Sequence, residues 1–186
     1  CARSAHHWLW LLANPNPFLS SVNTLMANSP DSEDHLTRTH VLQWIETSSV
    51  IIEANKAYLT GLDAAIGDAD HGINMARGFN KAVEKLPSVA NADIGTILRT
   101  TGMMLLSSIG GASGPFYGTF FLRAGESAGV KHSLSGANVL AMLESGVDGI
   151  IMRGRAEVGE KTMIDAWVPA VDALRNSLAS GLPLAV

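Results

Sequence analysis

Apolar residues recur at intervals of three and four along most of the chain, which is the spacing of one face of an α-helix. No segment alternates apolar and polar positions in the manner of a half-buried strand. The pattern therefore predicts an all-α fold of six helices in an antiparallel up-and-down bundle or barrel. The six predicted helices run from about Thr39 to Leu59, from near Asn74 to Pro87, from an N-cap at Asp93 to Leu105, from Phe116 to Gly129, from an N-cap at Ser135 to Ile151, and from Ile164 to Leu178.

Three polar connections between these helices carry the candidate chemistry. An acidic segment lies between the first and second helices, and the glycine-rich segment 107–115 lies between the third and fourth. The segment Arg153 to Lys161 lies between the fifth and sixth. In an up-and-down bundle, alternate loops fall at the same end. The three connections are therefore expected to converge on one site.

The acidic segment places Asp63, Asp68 and Asp70 within eight residues. Two carboxylates about 4–5 Å apart repel each other by roughly 3–4 kcal/mol at an effective dielectric constant near 20. Such a cluster indicates either a bound hard cation or full solvation as an acidic loop. An EF-hand opening at Asp68 is excluded, because Ile73 and Phe79 stand where that loop needs Gly and Glu. The incomplete set of ligands favours Mg²⁺ completed by phosphate oxygens.

The glycine-rich segment has the composition of a loop that lets backbone N–H groups approach a ligand. Gly110, Gly111 and Gly114 surround the hydroxyl of Ser113. The segment lacks the Gly-Lys-Ser/Thr of a Walker A motif, and it does not follow a strand as a dinucleotide fingerprint would. If it binds phosphate, it does so at helix ends, where unpaired amides favour anions. A plain connection between helices is the alternative.

Composition limits the partners and the compartment. The chain has 186 residues, 47% of them hydrophobic, and a formal net charge of −4 without basic runs. This balance argues against nucleic acid as the main partner. No apolar run is long enough to span a membrane. The single cysteine, Cys1, fits a reducing compartment, so a cytoplasmic location is expected.

Four segments carry a resemblance to a known family. They read GLDAAIGDADHGINMARGF, LLSSIGGASGPFYGTFF, RGRAE and GEKTMIDAW. Between about Leu36 and Leu178 the chain resembles the L subunit, or nucleotide-binding domain, of dihydroxyacetone kinase. The variant ADHG in the acidic segment is most similar to the phosphoenolpyruvate-dependent, three-subunit form.

The resemblance implies an antiparallel eight-helix barrel that holds a nucleotide, ADP or ATP, and two Mg²⁺ ions at one end. It implies that three carboxylates ligate the metal, that two segments line the phosphates, that two further residues lie against the nucleotide, and that no side chain acts as a nucleophile. These residues are Asp63, Asp68 and Asp70 for the metal, His71, Gly72, Ile73 and Asn74 with Ala112 and Ser113 for the phosphates, and Gly154 and Met163 for the nucleotide.

The resemblance also implies a role within a complex. ADP bound to the L subunit accepts a phosphoryl group from a phosphohistidine on a third subunit, and the group passes to dihydroxyacetone held by the K subunit. A homodimer is compatible with this role. The alternatives are the L domain of an ATP-dependent glycerone kinase, a nucleotide-responsive binding module without transfer, and a metal-stabilised structural bundle. Arg77 fits either a surface charge or a partner contact, and the surface charge is favoured, whereas Arg153 and Arg155 fit phosphate binding and solvation equally well.

The resemblance divides the chain in two. Residues 1–35 are expected to be an N-terminal extension, disordered or non-native, and residues 36–186 a partial L domain. The family continues beyond the sixth helix through two more, so we expect the chain to be a fragment with an open seam on its first and sixth helices. Such a fragment would be marginally stable or self-associating.

Overall fold

The computed structural model describes residues 34–65 and 67–184 of the chain. The prediction for residues 1–35 lies outside the described residues except at Asp34 and His35, and His35 belongs to a strand. The described ranges form seven α-helices, a short 3₁₀ turn and two three-residue strands, and none of these helices has the length and apolar character needed to cross a membrane. In chain order they are β1 His35–Thr37, α1 Arg38–Ala54, α2 Lys56–Asp63, α3 His71–Lys85, the 3₁₀ turn Leu86–Ser88, α4 Ile94–Ser108, α5 Ser113–Ala128, β2 Ser133–Ser135, α6 Gly136–Gly154 and α7 Ile164–Ala179.

The predicted all-α class is confirmed, and from α3 onward successive helices pack against each other in antiparallel fashion. The prediction that the chain has no strand is wrong in one detail. Strands β1 and β2 pair antiparallel, with His35 opposite Ser135 and Thr37 opposite Ser133. Three residues are too few to show a period of two in the sequence. This ribbon joins the start of α1 to the start of α6.

The first predicted helix, Thr39 to Leu59, is interrupted at Asn55, which separates α1 from α2. The Asn55 side chain donates from Nδ2 to the Ile51 carbonyl oxygen at 2.8 Å. An Asn side chain that binds a nearby carbonyl competes with the helical hydrogen-bond ladder. Helix α2 is therefore a separate element that ends at Asp63, and none of its residues is buried.

The predicted caps are confirmed, whereas two predicted starts are three residues late, since α5 begins at Ser113 and not at Phe116. Asp93 Oδ1 accepts from the backbone N–H of Thr96 at 2.7 Å, and Ser135 Oγ accepts from that of Asn138 at 3.4 Å. Helix α3 begins at His71 and not near Asn74. A glycine near a helix start favours placing the start after it, because glycine has a low helix propensity. Here Gly72 lies inside the helix, and its backbone packs against α2.

Helices α4 and α5 approach each other backbone to backbone. A Cβ atom added at Gly95 would lie 2.5 Å from the carbonyl oxygen of Gly129, and one added at Gly102 would lie 2.8 Å from that of Gly118. Any larger side chain at Gly95 or Gly102 would force the two helices apart. This contact fixes the connection between the two helices, which is the glycine-rich segment, relative to the core.

Candidate functional site

The three polar connections lie at one end of the bundle, as the loop order predicts. Ser113 Oγ, at the start of α5, lies 3.1 Å from His71 Nδ1, at the start of α3. A Cβ added at Gly154, the last residue of α6, would lie 3.0 Å from the ring of Phe116 in α5. The predicted convergence of the acidic, glycine-rich and 153–161 segments is therefore confirmed.

Asp63 organises the acidic connection from the end of α2. Its Oδ2 atom accepts hydrogen bonds from the backbone N–H groups of Asp70 at 3.0 Å and His71 at 3.3 Å. Its carbonyl oxygen accepts from the N–H of Gly67 at 2.6 Å. One carboxylate thus ties α2 to the first residue of α3. It also provides an acceptor for two of the N–H groups that have no partner within the helix at its N-terminus.

The three carboxylates of Asp63, Asp68 and Asp70 are brought together. Each offers an oxygen atom, and these atoms lie within 4.8 Å of one another. The negative charge of Asp70, with a smaller contribution from Asp63, raises the pKa of the Asp68 carboxyl group. Ala69 between them adopts φ +62°, a left-handed conformation that costs a non-glycine residue roughly 1–2 kcal/mol. A strained turn that gathers mutually repelling oxygens fits a hard divalent cation.

The first turn of α3 contains the four residues that the sequence assigns to phosphate. His71, Gly72, Ile73 and Asn74 are its first four positions. Backbone N–H groups in a first turn point out of the helix, and the helix dipole adds partial positive charge there. Asn74 is only 5% exposed, whereas Ile73 is 51% exposed. Because the amide of His71 donates to Asp63 and that of Asn74 donates to the Asp70 carbonyl oxygen, the amides of Gly72 and Ile73 are the ones that can receive an anion.

The glycine-rich connection supplies a second helix N-terminus. Ala112 is the N-cap of α5 and Ser113 is its first residue. Gly111 before them has φ +64°, which a glycine adopts without strain. A Cβ added at Gly110 would lie 3.3 Å from Nδ2 of Asn74, so this connection runs directly beside the first turn of α3.

The third connection leads from Gly154 at the end of α6 to Met163 at the N-cap of α7. Asp165 organises it, since its carboxylate accepts from the N–H groups of Gly159 at 2.6 Å and Thr162 at 2.8 Å. Arg153 donates to Thr119 Oγ1 at 3.4 Å and so lies along α5. Asp165 was not identified from the sequence.

We expect the Asp165→Asn substitution to lower the free energy of unfolding at neutral pH. The hydrogen bonds from Gly159 and Thr162 lower the pKa of the Asp165 carboxyl group. A carboxyl group with a lower pKa in the folded chain stabilises the fold above its unfolded pKa of about 3.9, and this contribution disappears as the pH falls through the folded pKa. Urea denaturation of the wild type and the variant between neutral pH and about pH 3 should show a difference in the free energy of unfolding that shrinks below about pH 4. A difference that is constant with pH would contradict the prediction.

Arg77 is exposed, as the interpretation as a surface charge expects, but its side chain also binds other parts of the protein. Its Nε donates to the carbonyl oxygen of Ser108 at 3.0 Å, and one Nη donates to Oδ1 of Asn74. The sequence gives no signal for this role, because an arginine on the outer side of a helix is usually solvated.

An apolar cavity of about 330 Å³ opens behind His71. Its walls include Trp44, Met75, Tyr117 and Trp167. Burial raises the pKa of the Tyr117 hydroxyl group. His71 therefore stands between the polar end of the bundle and its apolar interior.

The chain is similar to proteins of one family over most of its described residues. The DAK2 domain family matches residues 65–185. The chain is 52% identical over 151 residues to the ADP-binding subunit DhaL of the PEP-dependent dihydroxyacetone kinase of Escherichia coli, covering 81% of this chain and 72% of that subunit. It is 43% identical to the corresponding subunit of dihydroxyacetone kinase 2 of Listeria innocua, covering 78% of this chain and 67% of that one.

A solved structure shows the same fold within a longer chain. The dihydroxyacetone kinase of C. freundii, in complex with AMP-PNP and Mg²⁺, superposes with a TM-score of 0.64 and 27% identity. The match covers 83% of this chain and 28% of the kinase, so this chain spans only about a quarter of that protein. The chain belongs to the DAK2 domain family, and within it to the group of ADP-binding subunits of dihydroxyacetone kinases.

Proposed function

We propose that this chain is the ADP-binding subunit of a phosphoenolpyruvate-dependent dihydroxyacetone kinase, a phosphotransferase. The observation that best supports this proposal is that three carboxylates and two helix N-termini lie together at one end of the bundle. Asp63 connects the carboxylates to the start of α3, and the contact between His71 and Ser113 connects the start of α3 to the start of α5. In this role the chain holds ADP while a phosphoryl group passes from a phosphohistidine on one partner subunit to dihydroxyacetone on another. A cytoplasmic location and a homodimer are compatible with it.

The donor set supports a Mg²⁺ site, and we propose that it holds two ions. Asp63, Asp68 and Asp70 would be the protein ligands, with phosphate oxygens and water in the remaining positions. Magnesium ions neutralise the charge that develops on a transferring phosphoryl group and help to orient it. The chain itself fixes the spacing of the carboxylates through the hydrogen bonds that Asp63 accepts.

The two helix N-termini support a phosphate-binding site between the starts of α3 and α5. His71, Gly72, Ile73 and Asn74 would line them from α3, and Ala112 and Ser113 from α5. Gly154 and Met163 would lie against the rest of the nucleotide. No side chain of this set is needed as a nucleophile, because phosphoryl transfer depends mainly on positioning and charge neutralisation. Dihydroxyacetone would be held by the partner K subunit.

The main alternative is the L domain of a kinase that uses ATP directly. The chain is 34% identical to the L-erythrulose 1-kinase of Mycolicibacterium smegmatis, but it spans only 24% of that protein. The higher identity to the separate ADP-binding subunits, and the larger share of them that it spans, favour the phosphoenolpyruvate-dependent type. A binding module without transfer has no comparable support.

We expect the purified chain alone to give no dihydroxyacetone phosphate from ATP and dihydroxyacetone, because the ketone is captured on another subunit. With the partner subunits of the Escherichia coli kinase, phosphoenolpyruvate and Mg²⁺, we expect product to form. A coupled assay of dihydroxyacetone phosphate measures both conditions, and the Asp70→Asn variant provides the inactive control. The proposal would be contradicted if the chain alone formed product above a metal-free background. It would also be contradicted if the mixture with the partner subunits formed none.

A further inference from the structure

Arg77 connects the two segments to which the proposed function assigns the phosphates. Its Nε donates to the carbonyl oxygen of Ser108, the last residue of α4, at 3.0 Å. From there the chain enters the glycine-rich connection. Its Nη donates to Oδ1 of Asn74 in the first turn of α3. One guanidinium group thus holds the end of α4 and the start of α3 in a fixed relation.

The same contact selects one orientation of the Asn74 amide. A guanidinium group carries donors only, so the amide oxygen must face Arg77 and the amide nitrogen must face the other way. The glycine-rich connection packs over this amide group, because a Cβ added at Gly110 would be 3.3 Å from Nδ2 and 3.6 Å from Oδ1. Nδ2 donates no hydrogen bond to the described residues and is open to solvent, since Thr60 Oγ1 is the only fully buried side-chain atom among them without a partner.

We propose that Arg77 is a positioning residue that turns the Asn74 amide so that its N–H groups face the nucleotide phosphates. This inference rests on the proposed function, since it needs an anion between α3 and the glycine-rich connection. Without Arg77 the amide is free to flip, and the flipped oxygen would repel phosphate. A hydrogen bond to a charged group contributes about 1.5–3 kcal/mol, which corresponds to a factor of roughly ten or more in affinity.

A double-mutant cycle tests this proposal through ADP affinity in Mg²⁺, measured by calorimetry on the full chain. We expect Arg77→Gln and Asn74→Ala each to weaken ADP binding about tenfold. In the Asn74→Ala background, Arg77→Gln should cost less than about twofold, because the group it orients is gone. Arg123→Gln, which removes a surface arginine paired with Glu126 on α5, is the matched control and should leave the affinity unchanged.

The outcomes separate this proposal from the function on which it rests. A wild-type chain that binds no ADP in Mg²⁺ would overturn both. Normal wild-type binding with equal affinity in Arg77→Gln would overturn the role of Arg77 alone. Additive losses in the double variant would also overturn it, since they would show that the arginine acts directly on phosphate or through the stability of the fold. Thermal melts of all variants identify the second of these causes.

Discussion

Replacing Asp68 with Asn is expected to weaken ADP binding in the presence of Mg²⁺ by about 5- to 150-fold, the usual range of coupling between two ligands. Three carboxylates leave metal positions for phosphate oxygens, so metal and nucleotide should each tighten the binding of the other. Asp68 is the member whose pKa the neighbouring carboxylates raise, so its negative charge is unfavourable without a cation. Its replacement should therefore remove metal binding without destabilising the metal-free fold.

Calorimetric titrations of ADP with and without Mg²⁺ measure this coupling directly. Asp34→Asn is a matched control, because it removes the same charge just before β1, at the other end of the bundle. The wild type and this control should bind ADP more tightly with Mg²⁺, whereas Asp68→Asn should show little difference between the two conditions. Equal ADP affinity of the wild type with and without Mg²⁺ would refute the idea.

The second large effect is expected at Gly72, where the Gly72→Ala substitution should reduce the free energy of unfolding by about 1–3 kcal/mol. An added Cβ would lie 2.1 Å from the carbonyl oxygen of Lys56 and 2.6 Å from Oγ1 of Thr60. Both contacts are far too short, so α2 and α3 must separate. The separation would also move Asp63 away from the amides of α3 that it binds.

Gly61→Ala in α2 is the matched control, since a Cβ added there meets no atom within 4 Å. In a helix interior this substitution should stabilise the protein by roughly 0.5–1 kcal/mol. Urea denaturation of the two variants should move the midpoint in opposite directions. A Gly72→Ala variant as stable as the wild type would show that the two helices can adjust without cost.

The sequence predicted the helices and the common end of the polar loops because both follow from long-range periodicity. The caps at Asp93 and Ser135 were predictable, because a cap is a local interaction between neighbouring residues. The interruption at Asn55 was not, because it depends on one side-chain hydrogen bond within an otherwise unbroken apolar stripe. The early start of α3 was missed because the close approach of Gly72 to α2 is a tertiary contact.

The candidate site shows the same division. Asp63, Asp68 and Asp70 were identified because they fall within one short connection between helices, which limits how far apart their carboxylates can lie. The contacts of Arg77 with Ser108 and of Asp165 with Gly159 were not predicted, because the residue type alone does not show which backbone groups a charged side chain will meet. Charged side chains that stabilise loops can be identified only once the conformation of the loops is known.

The break at Asn55 has a consequence for the way the protein opens. Helix α2 buries no residue, whereas α4 and α5 are packed backbone to backbone along the bundle. Local unfolding free energies range from near zero for poorly packed segments to the global value for the core. The site therefore joins a thinly buried helix, which is held to α3 through Gly72 and Asp63, to a pair of helices that opens only with the whole domain. A ligand bound between them would stabilise α2 against local unfolding more than it stabilises the core.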